Sequence, residues 1–188
     1  MKKENLNLEK YNKKELTMTV EKICQKGLIT VTPIMLIGFA IYYLIRGGYN
    51  ILQTPWKDYF IVMIYFIIGF ILHELIHGIV WGRVSEGGFK SADFGYDSNY
   101  VKPYCNPTEI ITMKQYKLGK VMPLIITGIL PYLISIIIGS FHLMIASLLL
   151  IGLCGVDIVI LKMISKEKDT ALVMNNEKDY GCIVLEEQ

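Results

Sequence analysis

The sequence predicts an all-α membrane protein, a bundle of four transmembrane helices with a short hairpin-like loop on its cytosolic side. Three observations lead there. Apolar residues make up 53% of the chain and fall into four blocks separated by polar stretches. Each block is about 18 to 23 residues long, the helix length that a hydrocarbon core of about 30 Å requires. Seventeen of the 19 Lys and Arg residues then fall on one side of the four-span scheme, a strong positive-inside bias.

The elements follow in chain order. Residues 1–27 are polar and mixed in charge long before any apolar run, unlike a signal peptide. They read as a cytosolic N-terminal arm, with room for a short amphipathic helix on the membrane surface. Residues 28–163 form the membrane domain. Its first span runs from about Leu28 to Ile45 and holds Pro33. The second runs from about Tyr59 to Trp81, with Trp56, Tyr59 and Trp81 suited to the two interfaces. The third runs from about Val121 to Ile138, with Pro123 near its start and Pro131 as an expected kink. The fourth runs from about Phe141 to Leu161. Residues 164–188 read as a cytosolic tail, so both termini are placed inside a bacterial plasma membrane. Only Arg46 and Lys57 fall outside.

The loop from Gly82 to Lys120 is the one sizeable connection. "GGFKSADFGY" and "NYVKPYC" have the aromatic and turn-residue content of two short strands, hence an expected hairpin. "NPTEIITMKQYKLGK" begins with turn chemistry, offers Thr108 as an N-cap, and leads by a helix into span three. The four cysteines, Cys24, Cys105, Cys154 and Cys182, lie far apart without a CxxC pair. They predict free thiols, with neither a disulfide framework nor a thiolate zinc motif. A net charge of +2 gives no global basic field, so nucleic acid is not an expected partner.

One stretch conflicts with a purely lipid-facing helix. In "GFILHELIHG", Gly69 to Gly78, three ionisable residues interrupt span two, although a charge at mid-membrane costs about 2.5 to 3.5 kcal/mol. His73 and His77 are i and i+4, so both imidazoles project from one helix face and can bind a single zinc ion. Glu74 lies about 100° round the helix. It is poorly placed to be a ligand, but it can act as general base on a metal-held water and then protonate the leaving amine. The competing reading is a polar network that hydrogen-bonds to neighbouring helices.

A catalytic zinc needs a third protein ligand and an open position. The metzincin extension would need Gly at Val80 and His at Arg83, so that class is excluded. The candidates are Glu86, Asp93, Asp97, Glu109, Cys154, Asp157 and His142. Depth discriminates among them. Asp157, the only acidic residue of span four, lies about five residues from that span's cytosolic end, and at 1.5 Å per residue it comes level with the two His. His142 falls near the outer face. Gly152 and Gly155 would let span four approach the motif helix closely, and Cys154 is more readily a small packing residue.

Together, "HELIHGIVWGR", "YVKPYCNPTEIITMKQYKLGKVMPLIITGILPYL" and "GLCGVDIVILKMISKEKDTALVMN" resemble the bacterial putative zincin peptidase family, small integral membrane proteins filed as a domain of unknown function. The resemblance spans roughly Phe60 to Met174. That family looks like a distant relative of the site-2 proteases, which pair an HExxH span with an Asp on a later span. The resemblance implies His73, His77 and Asp157 as zinc ligands and Glu74 as the catalytic residue. The Asn and Pro residues of the site-2 protease pattern around the Asp are absent from "CGVDIVI".

The leading functional expectation is a zinc-dependent, membrane-embedded peptidase cutting near the cytosolic membrane face. Its partners would be membrane lipid and a membrane protein or peptide substrate, with the loop hairpin offering an edge strand to an extended substrate. The alternatives are a non-enzymatic membrane protein with a structural metal or polar site, such as an immunity or chaperone-like factor, and a small transporter in which His and Asp line an ion path.

Overall fold

Long apolar runs make long helices here, and a computed structural model shows how they pack. It describes residues 10–47, 55–97, 102–176 and 179–187. Three helical stretches are long and apolar enough to cross a membrane: α1 (Val20–Arg46), α2 (Trp56–Val84) and the run Met113–Ile138. A fourth crossing is made by α5 (Phe141–Leu153) and α6 (Gly155–Met163), if this pair, bent by 42°, is one span. Leu28, Leu36 and Leu44 on α1 and Ile64, Ile68 and Ile71 on α2 stand exposed. Large apolar side chains turned outward along whole helices suit lipid and not water. The chain is a membrane protein by this architecture.

Each helix buries only a narrow stripe. On α1 the buried residues are Ile23, Gly27, Val31, Gly38 and Tyr42, a four- and seven-residue spacing that keeps them on one face. On α2 they are Gly69, His73, Ile76, His77, Gly78, Trp81 and Gly82, so the polar motif lies on the packed face. α5 packs against both α1 and α2. The closest crossing is α1 on α6. A Cβ at Gly27 would lie 3.0 Å from the backbone carbon of Gly155, so only glycine permits this approach.

The third span is continuous but not uniform. α3 (Met113–Pro123) passes into a π-helical turn, Leu124–Ile129, and then into α4 (Leu130–Ile138). Pro131 has no N–H for the Thr127 carbonyl and its ring crowds that carbonyl, so the ladder widens ahead of it. The kink expected at Pro131 takes this form. Gly139, at φ 73°, closes α4, and the Arg46 guanidinium donates to the Ile136 and Ile137 carbonyls at that terminus.

The all-α expectation fails at the polar segments, which build two small sheets. β1 (Tyr11–Met18) pairs antiparallel with β6 (Tyr180–Glu187), Tyr11 opposite Glu187 and Met18 opposite Tyr180. β5 (Leu172–Asn175) and β4 (Ile111–Thr112) complete the order β1-β6-β5-β4. The segment expected as a loose arm is therefore a strand followed by a helix that starts at Val20, and part of the expected tail is its partner. Burial explains the pairing. Cys182, Val184 and Val173 close over Ile23, Trp81, Met113, Tyr116 and Ile164 in one core at this end of the bundle.

The expected hairpin is present. β2 (Ala92–Asp97) and β3 (Lys102–Pro107) pair antiparallel, with Phe94 opposite Cys105; its connection lies outside the described residues. Thr108 is not the helix cap, because its hydroxyl and its N–H both go to the Ser91 carbonyl. The cap is Thr112, which forms a reciprocal capping box with Gln115. The Gln115 amide also reaches the Val84 carbonyl at 3.2 Å, joining the start of α3 to the end of α2.

One carboxylate ties the link between α2 and β2. Glu109 accepts the Ser91 hydroxyl at 2.7 Å and the N–H groups of Gly87 and Glu86 at 3.0 and 3.2 Å. The Ser91 hydroxyl foremost, and also the Gly87 N–H, hold its carboxyl below the usual range. A lowered folded-state pKa stabilises above the unfolded value, near about 4.3, and that stability is lost as pH falls through the folded value. Glu109→Gln should lose about 1 to 3 kcal/mol at pH 7. Thermal unfolding in detergent should show a shallower decline below about pH 4.3 for the variant than for the parent; parallel declines would remove Glu109 from the acid response. Gly27→Leu should separate α1 from α6 and lower stability by about 1 to 3 kcal/mol, read as a lower unfolding midpoint in the same assay.

Candidate metal centre

Two helices converge on one point. His73 and His77 stand on successive turns of α2, their ring centroids 4.9 Å apart. Asp157 comes from α6. Its Oδ2 lies 3.2 Å from His73 Nε2 and 3.4 Å from His77 Nε2, and one ligand atom from each residue fits within 4.8 Å of the others. All three side chains are buried. The bend at Cys154 matters here. It starts a new helix at Gly155, so Asp157 occupies a first turn, where the partial positive charge of the helix end favours a carboxylate.

The remaining polar atoms decide what the site is suited to hold. His77 Nδ1 lies 2.9 Å from the Gly119 carbonyl oxygen. A carbonyl can only accept, so Nδ1 carries the hydrogen, and in the neutral ring Nε2 presents a lone pair. Around His73 the Cys154 thiol lies 3.2 Å from the Leu150 carbonyl and 3.6 Å from Nδ1. If the thiol hydrogen goes to Leu150, His73 Nδ1–H donates to sulfur and its Nε2 also presents a lone pair. Two nitrogen lone pairs then face a carboxylate oxygen with no hydrogen between them. A cation at their centre removes that conflict. The donor set of two imidazole nitrogens and one carboxylate oxygen suits zinc, and an outer hydrogen bond on each ring is how metal-bound histidines are generally oriented.

α3 closes the site from the third side. Lys120 Nζ lies 3.0 Å from Asp157 Oδ1, and only 6% of Lys120 is exposed. Sequence reading counts this lysine among the loop charges, and the structure buries it in the centre. Beneath lies an aromatic column. Trp81 stacks on His77 at 5.0 Å and Tyr116 stacks on Trp81 at 6.0 Å. Trp81 is 0% exposed and is not an interfacial anchor. Being i+4 from His77, it continues the same buried stripe, and Lys120 Nζ lies 5.2 Å from its ring centre. The i+4 relation to His77 is the one sequence signal that could have placed Trp81 inside.

Glu74 is half-buried on the neighbouring face of α2, toward the hairpin. Burial, and then the Glu74 carboxylate, push the Cys105 thiol on β3 up to about 12. One turn beyond Glu74, Gly78 accommodates the Phe94 ring of β2, where any Cβ would lie 2.1 Å from Phe94 Cζ. The hairpin thus covers the Glu74 side of the motif. Of the other candidate ligands, Cys154 lies behind His73, at its Nδ1 and not its Nε2. Glu109 holds the loop, together with the Glu86 backbone. His142 lies 3.8 Å from Asp58, near the start of α2 and far along that helix from the motif. Asp93 pairs with Asn106 in the hairpin register.

Residues 66–172, more than half of the chain, match the family described as "Putative zincin peptidase". The chain belongs to that family. Its description points to a metallopeptidase and to zinc, in agreement with the donor set above. No curated protein and no solved structure matches the chain.

Gly119 supplies the carbonyl for His77, and a Cβ there would lie 2.1 Å from Trp81 Nε1. Trp81 is enclosed and cannot swing aside. Gly119→Ala should therefore lower stability by about 1 to 3 kcal/mol and reduce zinc affinity by about 10- to 100-fold. Calorimetric titration with zinc checks the second effect. Unchanged affinity would mean that the His77–Gly119 bond does not orient the ring.

Proposed function

We propose that the protein is a zinc-dependent, membrane-embedded peptidase of site-2-protease type, hydrolysing peptide bonds near the cytosolic membrane face, with both termini cytosolic. The observation that carries this reading is the convergence of three lone-pair donors, His73 Nε2, His77 Nε2 and Asp157 Oδ2, beside the glutamate of an HExxH sequence. In this reading His73, His77 and Asp157 are the zinc ligands. Zinc bound there would supply Lewis acidity to a water and to the scissile carbonyl.

The chain's own residues do the rest. Glu74 receives the proton of the attacking water and delivers it to the leaving amine. Its half-buried position next to the hairpin suits a group that must meet both water and substrate. Gly119 and Cys154 fix the two imidazoles. A helical substrate shields its carbonyls and would have to unwind locally, and the two-stranded hairpin beside Glu74 offers an edge to hold it extended. The cytosolic placement rests on the Lys and Arg distribution.

The test is made on protein purified in detergent. The parent and Glu74→Gln should each hold about one zinc per chain by mass spectrometry, as a single site predicts. His77→Ala and Asp157→Ala should hold none. Hydrolysis of β-casein, an unfolded test protein, should fall by about 10²- to 10⁴-fold in Glu74→Gln. Equal zinc and equal hydrolysis in Glu74→Gln and parent would remove Glu74 from the chemistry.

A further inference from the structure

Lys120 stands out within this site. It is an ammonium group almost fully buried in a membrane helix run, it is no zinc ligand, and the proposed chemistry has no step for it. Enclosing such a charge is costly unless it is paired and hydrogen-bonded. Its partner is Asp157, and the geometry is specific. Nζ donates to Oδ1 at 3.0 Å, while Oδ2 lies 3.2 and 3.4 Å from the two imidazole Nε2 atoms. The lysine position is itself fixed, because Nζ lies over the face of Trp81, which is stacked between His77 and Tyr116. The preceding residue, Gly119, holds His77. α3 thus contributes no ligand atom, yet two of its consecutive residues each hold one of the three candidate ligands.

A carboxylate can bind a metal through one oxygen or through both. With two histidines and one oxygen, a zinc ion has three protein ligands and a fourth position open for water or substrate. With both oxygens that position is crowded. We propose that Lys120 is a positioning residue that keeps Asp157 to one-oxygen ligation by occupying Oδ1, and so keeps the fourth position open. This rests on the zinc reading above. A merely structural lysine would neutralise Asp157 for folding and leave the ligation mode indifferent to its presence.

The full chain, purified in detergent, is loaded with zinc or with cobalt(II). X-ray absorption at the zinc edge and the visible spectrum of the cobalt form report coordination number. The parent should be four-coordinate, with intense visible absorption. Lys120→Met should still hold about one zinc per chain, but become five-coordinate, with weakened cobalt absorption. Lys120→Arg, which retains a charged donor, should return toward the parent spectrum. Lys120→Met with the parent's coordination number and spectrum would overturn the inference while leaving the zinc reading intact. Parent protein that binds no zinc would overturn both. Should Lys120→Met fail to fold, the parent alone decides, through the infrared carboxylate stretches of protein labelled with ¹³C-aspartate. A wide splitting on zinc loading marks one-oxygen ligation and supports the inference, and a narrow splitting marks two-oxygen ligation and overturns it.

Discussion

The structure turns on the contact of Asp157 with two imidazoles on one side and the Lys120 ammonium on the other. Four ionisable groups sit within an apolar bundle, and each would be expensive there alone. Lys120 answers one Asp157 oxygen, and the space between the other oxygen and the two imidazoles suits a cation, provided that α2, α3 and α6 hold their relative places. Much of the remaining architecture serves that requirement. Gly27 and Gly155 let α1 brace α6 at backbone contact. The break at Cys154 turns α6 so that Asp157 points into the site. Gly119 lets α3 lie against Trp81.

The small sheet at the same end of the bundle is part of this bracing. Three of its four strands, β1, β5 and β6, come from two segments far apart in the chain, and the sheet closes a core that includes Trp81 and Tyr116. The Tyr116 hydroxyl donates to the Gly181 carbonyl of β6 at 3.2 Å. An uninterrupted stack therefore runs from His77 through Trp81 and Tyr116 to the sheet. The capping box of Thr112 and the Gln115 bond to Val84 fix the start of α3 against the end of α2. Rigid packing beneath a metal site is what holds ligand geometry, and here it comes from aromatic stacking and backbone contacts. The opposite, Glu74 side of the motif faces the hairpin, where Phe94 is half-exposed.

Much of the candidate site was legible in residue order. Helical periodicity alone puts His73 and His77 on one face with Glu74 beside them, and a similar distance from the cytosolic ends of two spans that run in the same direction brings Asp157 level with them. The hairpin was legible too, since turn residues and aromatics alternate with little else to compete. The sheet built from both ends of the chain was not. β1 reads "YNKKELTM", whose charges suggest a solvated arm, and its strand character comes from a partner about 170 residues away, which no local pattern reports. Trp81 was misplaced for a related reason. A tryptophan at the end of an apolar run is usually an interfacial anchor, unless another element covers that end, and here the sheet does.

The sequence by itself determined that long apolar helices would form, that they would be long enough to cross a membrane, and which residues could share a metal. Those properties follow from hydrophobic length and helical spacing, both of which are local. Only the tertiary structure decided that Lys120 is a member of the site and not a loop charge, and that its ammonium holds one Asp157 oxygen. The tautomer of His77 is fixed by a carbonyl 42 residues away. These features depend on where separate helices meet, and that is set by glycine contacts and a helix break whose consequences lie far along the chain.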